Sequence, residues 1–163
     1  MDELYSRISV ITKQVLYPFM KEEKISILNY HFRNYFEHCI NENQIQVIGH
    51  HFSNHKIEGL TIIDELGISF SYEIDHPVTK RHFTLCHELG HFILKHEGSC
   101  FTESVDYQES LLEREANIFS AIILMPDIVL LSKIYYSCDS FRKIKEDLEV
   151  SSQALYFRLI DLL

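Results

Sequence analysis

The hydrophobic positions along the chain change their period twice. Over residues 2–20, Leu4, Ile8, Ile11, Val15 and Phe19 recur at three- and four-residue spacing, the stripe of an amphipathic helix. Residues 22–40 keep that period through Ile25, Ile27, Leu28, Phe32, Tyr35 and Phe36, which predicts a second helix whose aromatic side chains are core. The period then shortens to two. Gln44-Ile45-Gln46-Val47-Ile48 alternates, residues 57–63 end in the β-rich run Leu60-Thr61-Ile62-Ile63, and Ile68 to Ile74 alternates strictly. With Asp64-Glu65-Leu66-Gly67 as a hairpin connection, the middle of the chain predicts a small antiparallel sheet of about three strands.

Asp75-His76-Pro77 ends the last strand pattern, and helical spacing returns from about Thr79 to Lys95, with Gly98 placed as its stop. Asp106-Tyr107-Gln108-Glu109 has capping-box spacing and predicts a helix running on to about Met125. Pro126 and Asp127 suit the first turn of a further helix, and the rest reads as helical with a break near Val150-Ser151. Helices, then a sheet, then helices is an α+β arrangement. The expected layout is one domain over 1–163: N-terminal helices 1–42, a sheet and site core 43–126, and C-terminal helices 127–163.

Composition narrows the class. The longest apolar run, Ile118 to Met125, is interrupted by Ser120 and stopped by Pro126, far short of the roughly 18 residues of a membrane span. Met1-Asp2-Glu3-Leu4 has none of the features of a secretory leader. Cys39, Cys86, Cys100 and Cys138 are scattered without a CxxC pair, the usage of reduced thiols in a cytoplasm. A net charge of −9 argues against a phosphate-binding surface, so nucleic acid is not the expected partner.

The chemistry concentrates in Phe83-Thr84-Leu85-Cys86-His87-Glu88-Leu89-Gly90-His91. His87 and His91 lie on one face of a helix, where two imidazoles reach a single zinc ion at about 2.0–2.1 Å. Glu88 is rotated by about 100° from His87 and faces the ion's open position rather than the ion. That is the place of a general base, which deprotonates a water that zinc has acidified. In a chain this rich in His and Glu the pattern arises by chance too often to stand alone. Its helical setting behind a sheet, with Leu85, Leu89, Phe92 and Ile93 as a buried stripe, raises its weight. Gly90 inside a helix costs about 1 kcal/mol relative to Ala and points to a close neighbour.

A catalytic zinc takes three protein ligands and a water. Glu97 and His96 follow closely, but Leu94 stands where a glycine would turn the backbone back. On a continuing helix both residues lie past His91 on another face. Glu113-Arg114-Glu115-Ala116-Asn117 is the better source. On a helix folded back through residues 98–105, Glu113 supplies a third ligand, and Asn117, one turn on, hydrogen-bonds a ligand from outside. Leu112, Ala116, Phe119 and Ile123 form the core stripe, and Glu115, rotated about 200° from Glu113, is expected in solvent. Tyr72, His76, Arg81, His82 and Tyr107 are within reach as oxyanion donors, with no pattern to choose among them. His50, His51 and His55 read as strand and loop residues, with a second metal site as the lesser alternative.

The segment Arg81-x-Phe83-Thr84-Leu85-x-His87-Glu88-Leu89-Gly90-His91, followed by Glu113-x-Glu115-Ala116-Asn117-x-Phe119 and Leu124-Met125-Pro126, resembles the ImmA/IrrE-type metallopeptidases in order and spacing. The resemblance covers residues 57–126 well, the C-terminal part loosely and the first 56 hardly at all. It implies a zinc site of His87, His91 and Glu113 with Glu88 as base, in a cytoplasmic endopeptidase that cleaves a helix-turn-helix repressor, often of a phage or mobile element. Cys86 departs from the small residue usual in that family. The C-terminal pattern Ile144, Leu148, Ser151, Ala154, Leu155, Arg158 and Leu159 resembles a helix-turn-helix, but Asp147, Glu149 and Asp161 surround it, which favours packing over DNA contact. Three readings compete: an active zinc endopeptidase, a non-catalytic partner of a repressor or antitoxin, and a DNA-binding regulator. The intact Glu88 favours the first. The oligomeric state stays open.

Overall fold

A computed structural model of the chain describes residues 2–96 and 107–162, with backbone alone for 107–110. The elements run α1 (Glu3–Glu22), a 3-10 turn (Ile27–Asn29), α2 (Phe32–Asn43), β1 (Ile45–His50), β2 (Gly59–Asp64), β3 (Gly67–Glu73), α3 (Val78–Ile93), α4 (Tyr107–Leu124), α5 (Asp127–Tyr135), α6 (Phe141–Leu148) and α7 (Ser152–Leu162). The α+β class is as expected. The proposed stop at Gly98, the residue Cys100, the loop 98–105 and the cap at Asp106 lie outside the described residues, as does Glu97.

The N-terminal helices depart from the periodic reading. Lys24 takes a left-handed conformation (φ 55°), and its neighbours close the end of α1 through Ile25 N–H to Met20 O and Lys24 N–H to Lys21 O. The apolar rhythm carries on through 25–30, but the backbone does not. α2 starts afresh at Phe32, where His31 Nδ1 accepts from Arg33 N–H and Asn34 Oδ1 accepts from His31 N–H, a reciprocal cap.

The sheet has the order β1-β3-β2. β2 and β3 form the antiparallel hairpin, with Asp64 opposite Gly67. β1, however, lies parallel to β3 in the register Ile45↔Ile68 to His50↔Glu73. Two-residue alternation carries no information on strand order or direction, so the sheet is mixed where an antiparallel one was read. Phe70 at its centre is fully buried.

α3 crosses one face of the sheet and pairs with α4. His87 with Asn117, Gly90 with Ala116 and Phe83 O with Ser120 Oγ define an antiparallel pair. A β-carbon at Gly90 would meet the Ala116 backbone at 3.3 Å and the Phe119 ring at 3.1 Å, so α4 is the close neighbour that the glycine admits. Ala116, Phe119, Ile122 and Ile123 are fully buried under α1 and α3. The run Leu111–Tyr135 has a mean hydropathy of 1.8 and passes as a membrane span by length and composition, which counting uninterrupted apolar residues misses. It is two helices divided at Pro126, with apolar side chains spent on this core.

The C-terminal helices close over the end of α4. The break falls where it was read: Glu149 turns left-handed (φ 54°) and Ser151 Oγ accepts from Ala154 N–H to open α7. Arg158, the single basic residue of α7, is 1% exposed. It donates to Met125 O at 2.8 Å and to Tyr5 Oη at 2.9 Å, and pairs with Asp127, which Lys13 of α1 also holds at 2.5 Å. Arg158 is thus occupied inside the molecule.

Candidate metal centre

α3 presents His87 and His91 on the face turned toward α4, four residues apart as the helix repeat requires. Their Nε2 atoms face each other at 3.0 Å. Glu113 of α4 reaches between them, with Oε2 at 2.9 Å from His87 Nε2 and Oε1 at 2.9 Å from His91 Nε2. Asn117 Oδ1 accepts from His87 Nδ1 at 2.7 Å, which fixes the ring with Nε2 turned inward. Two imidazole nitrogens and a carboxylate, about 3 Å apart on every side, make a triangle of donors. A cation that takes nitrogen and oxygen ligands at about 2.0–2.2 Å fits just off the plane of such a triangle.

The electrostatics also call for positive charge in this gap. Burial raises the Glu113 carboxyl, but hydrogen bonds from both imidazoles overcome it and hold the group at about 2. Burial opposes a charged His87 as well, yet the Glu113 contact lifts its pKa above the ordinary histidine value. His91 is pushed down, by burial and then by its neighbour His87. Among the described residues His87, His91 and Glu113 are one of two groups with ligand atoms close enough for an ion. The other, His51 with Glu73 and Asp75, lies at the surface at the end of the sheet.

Glu88 points out of α3 toward the sheet and is 2% exposed. Thr61 of β2 donates its hydroxyl to Glu88 Oε2. Burial pushes the Glu88 carboxyl up to about 7, with Thr61 and His87 pulling the other way. Its second oxygen faces Gly59, where a β-carbon would lie 2.9 Å from Oε1 and 2.5 Å from Thr84 Cγ2. Only a glycine leaves that space open. Gly59, Glu88, His87, Glu113 and Asn117 line a cleft of about 240 Å³ with Glu58, Phe83 and Thr84.

Some residues stand elsewhere than the pattern placed them. Glu115 is 7% exposed rather than solvated, because α1 covers that side of α4. Arg7 donates to its Oε1 at 2.5 Å, and His96 Nε2 lies 2.7 Å from its Oε2. Burial raises the Glu115 carboxyl, but Arg7 and His96 outweigh it and hold the group below the usual carboxylate range. His96 is not among the three converging donors, yet it is not remote. Lys95 turns left-handed (φ 59°), and the paired bonds His96 N–H to His91 O and Lys95 N–H to Phe92 O end α3 and bring His96 back beneath His91. The two Nδ1 atoms are 2.8 Å apart.

Of the oxyanion candidates, Arg81 is spent on the carbonyls of Ile74 and His76, and His82 packs on Phe32 beside Arg33. Neither lines the cleft, nor do Tyr72 and His76; the Tyr107 side chain lies outside the described residues. Cys86 is fully buried, which pushes its thiol well up and keeps it protonated and inert. Cys39 and Cys138 are free thiols too. Thr61 was missed because no local spacing links a strand residue to a helix 27 positions on.

A family model described as the IrrE N-terminal-like domain, of peptidase family M78, matches residues 45–160. The match takes in β1 and the C-terminal helices, well beyond the segment 57–126 that the motifs alone covered. No curated protein matches the chain at a significant level. With the match spanning well over half of the chain, from the sheet through both helices of the His-Glu cluster, the protein belongs to the IrrE N-terminal-like family, a metallopeptidase-type domain whose membership implies a metal.

Proposed function

We propose that the protein is a zinc-dependent endopeptidase, with His87, His91 and Glu113 as the zinc ligands and Glu88 as the general base. The observation that carries the reading is the three-donor triangle beside a buried carboxylate, with His87, Glu113 and Glu88 lining one cleft. The set of two imidazoles and one carboxylate is that of zinc hydrolases which keep a coordination position for water. When bound, zinc lowers the pKa of a water and polarises the carbonyl to be attacked.

The chain's own residues do the rest. Thr61 fixes one oxygen of Glu88, so the other has a single direction, toward the space left by Gly59. Glu88 takes the proton of the attacking water there and hands it to the leaving amine nitrogen as the C–N bond breaks. Its elevated pKa suits both halves of that transfer. Asn117 holds the His87 ring through Nδ1. A purely binding protein has no use for a buried ionisable group in this position, which favours catalysis over passive partnership. Occupation of Arg158 within the core removes the one cation that α7 offers a phosphate, which weighs against DNA binding.

For the substrate we propose a helix-turn-helix repressor in the cytoplasm, on the strength of the family's motifs in Phe83–His91 and Glu113–Phe119. The test incubates the zinc-loaded protein with the repressor encoded beside it and follows the fragments by mass spectrometry. Wild type cuts, while Glu88→Gln binds zinc with wild-type stoichiometry and does not cut. Equal cutting by both removes Glu88 as base. Full zinc occupancy in Glu113→Ala removes Glu113 as ligand.

A further inference from the structure

Behind the donor triangle runs a chain of buried polar contacts that the ligand set does not account for. His91 Nδ1 meets His96 Nδ1 at 2.8 Å, His96 Nε2 meets Glu115 Oε2 at 2.7 Å, and Glu115 Oε1 accepts from Arg7 at 2.5 Å. The side chains of His96 and Glu115 are 4% and 9% exposed, so solvent does not substitute for these partners. A carboxylate that accepts from Arg7 can only accept from His96 as well, so the His96 proton sits on Nε2. A neutral imidazole protonated there has a lone pair on Nδ1. With a metal ion in place of the Glu113 contact at His91 Nε2, His91 donates its Nδ1 proton to that lone pair across the 2.8 Å contact. Nε2 is the atom of His91 that faces His87 Nε2 and Glu113. The carboxylate at the far end of the chain thus supports the form of His91 that carries its proton on Nδ1.

We propose that His96, Glu115 and Arg7 are positioning residues of the metal centre: they lock His91 in the tautomer and ring orientation that a metal ion requires, and so set the affinity of the site. The inference rests on His87, His91 and Glu113 being the ligands. It also gives α1 a part in the centre, although α1 lies outside the family match at 45–160 and carries Arg7 from the start of the chain. The arrangement depends on two local features with no catalytic duty. The left-handed turn at Lys95 returns His96 under His91, and α1 packs on the side of α4 that bears Glu115.

The test uses the full chain with zinc alone. Zinc affinity is measured by competition with a chromophoric chelator, and the His91 Nδ1 proton by long-range proton–nitrogen correlation on zinc-loaded protein. His96→Leu, which can neither accept nor donate, weakens zinc binding by about 10- to 100-fold, the usual cost of losing such a partner. It also moves the His91 Nδ1 proton upfield and speeds its exchange, because that proton has lost its acceptor. His96→Gln, whose carbonyl oxygen accepts from His91 while its amide donates to Glu115, recovers most of the affinity. Arg7→Ala, at a side chain 53% exposed whose removal leaves the fold intact, weakens zinc by several-fold. A folded His96→Leu that binds zinc within twofold of wild type, with the His91 Nδ1 proton unshifted, overturns the proposal. If His96→Leu does not fold, Arg7→Ala and His96→Gln decide in its place: zinc affinity unmoved by Arg7→Ala, or lost in His96→Gln to the same degree as in Glu113→Ala, overturns it. Failure of the underlying ligand assignment looks different, since wild type itself then binds no zinc or binds it no better than Glu113→Ala.

Discussion

Gly90→Ala separates two opposite expectations for one methyl group. On an exposed helix the substitution adds about 1 kcal/mol of stability, because alanine is the better helix former. Here the added carbon arrives 3.3 Å from both the Cα and the carbonyl oxygen of Ala116 and 3.1 Å from Phe119 Cδ1. The phenyl ring can rotate slightly, but the Ala116 backbone cannot yield without moving α4. Relief takes a few tenths of an ångström, and overpacking of this kind costs about 1–3 kcal/mol. The sum is a variant between neutral and about 2 kcal/mol less stable than wild type. The larger consequence is functional. Glu113 stands one turn before Ala116, and its oxygens lie 2.9 Å from both imidazoles, so pushing α4 away draws the carboxylate out of the triangle. Urea unfolding of metal-free protein reads the first effect, and zinc competition reads the second as a loss of about tenfold, worth about 1.4 kcal/mol. A variant that gains about 1 kcal/mol and keeps its zinc affinity refutes the claim that the helix–helix approach at Gly90 sets the site.

Other parts of the structure make further predictions. Lys95→Gly relieves a left-handed residue (φ 59°) at the end of α3 and gains about 0.5–1 kcal/mol in urea unfolding, whereas Lys95→Val at the same position loses stability. Arg158→Met removes a cation that is 1% exposed and leaves Met125 O and Asp127 short of partners, a loss of about 3 kcal/mol that the unfolding midpoint reports. Burial lowers the pKa of His31 and His82, which face Glu149 at 3.6 Å alongside Arg33. The unfolded chain therefore takes up protons below 6.5 that the folded one refuses, and stability falls as pH drops through that value. The His31→Asn, His82→Asn double variant flattens the urea midpoint between pH 7 and 5.5, and an unchanged slope rejects the assignment.

The parts of this molecule legible in its sequence are those decided by spacing within one element. His87 and His91 share a face because four residues make one turn, and Glu113 and Asn117 share a face for the same reason. Their convergence then needs only that α3 and α4 pair. The parts misread are those decided between elements. Glu115 was given to solvent because a helix face turned away from its nearest partner is usually wet; α1, far away in the chain, covers it and brings Arg7. His96 was sent past the site because Leu94 stands where a glycine would turn the backbone back, and the helical spacing runs on to Lys95. The left-handed turn at Lys95 is held by bonds to the backbone of α3, which any residue type can make, so its identity carries no signal. The parallel pairing of β1 is invisible for a related reason: alternation reports a face, and faces are the same for either strand direction. Thr61 and Gly59 belong to this second class as well. One holds Glu88 and the other clears the space before it, and both act from a strand that local spacing cannot connect to α3. A short motif thus identifies the atoms that would meet an ion, while the residues that orient those atoms come from α1, β2 and the end of α3. Those residues are where the present chain can differ from its relatives in metal affinity and rate without any change in the motif itself.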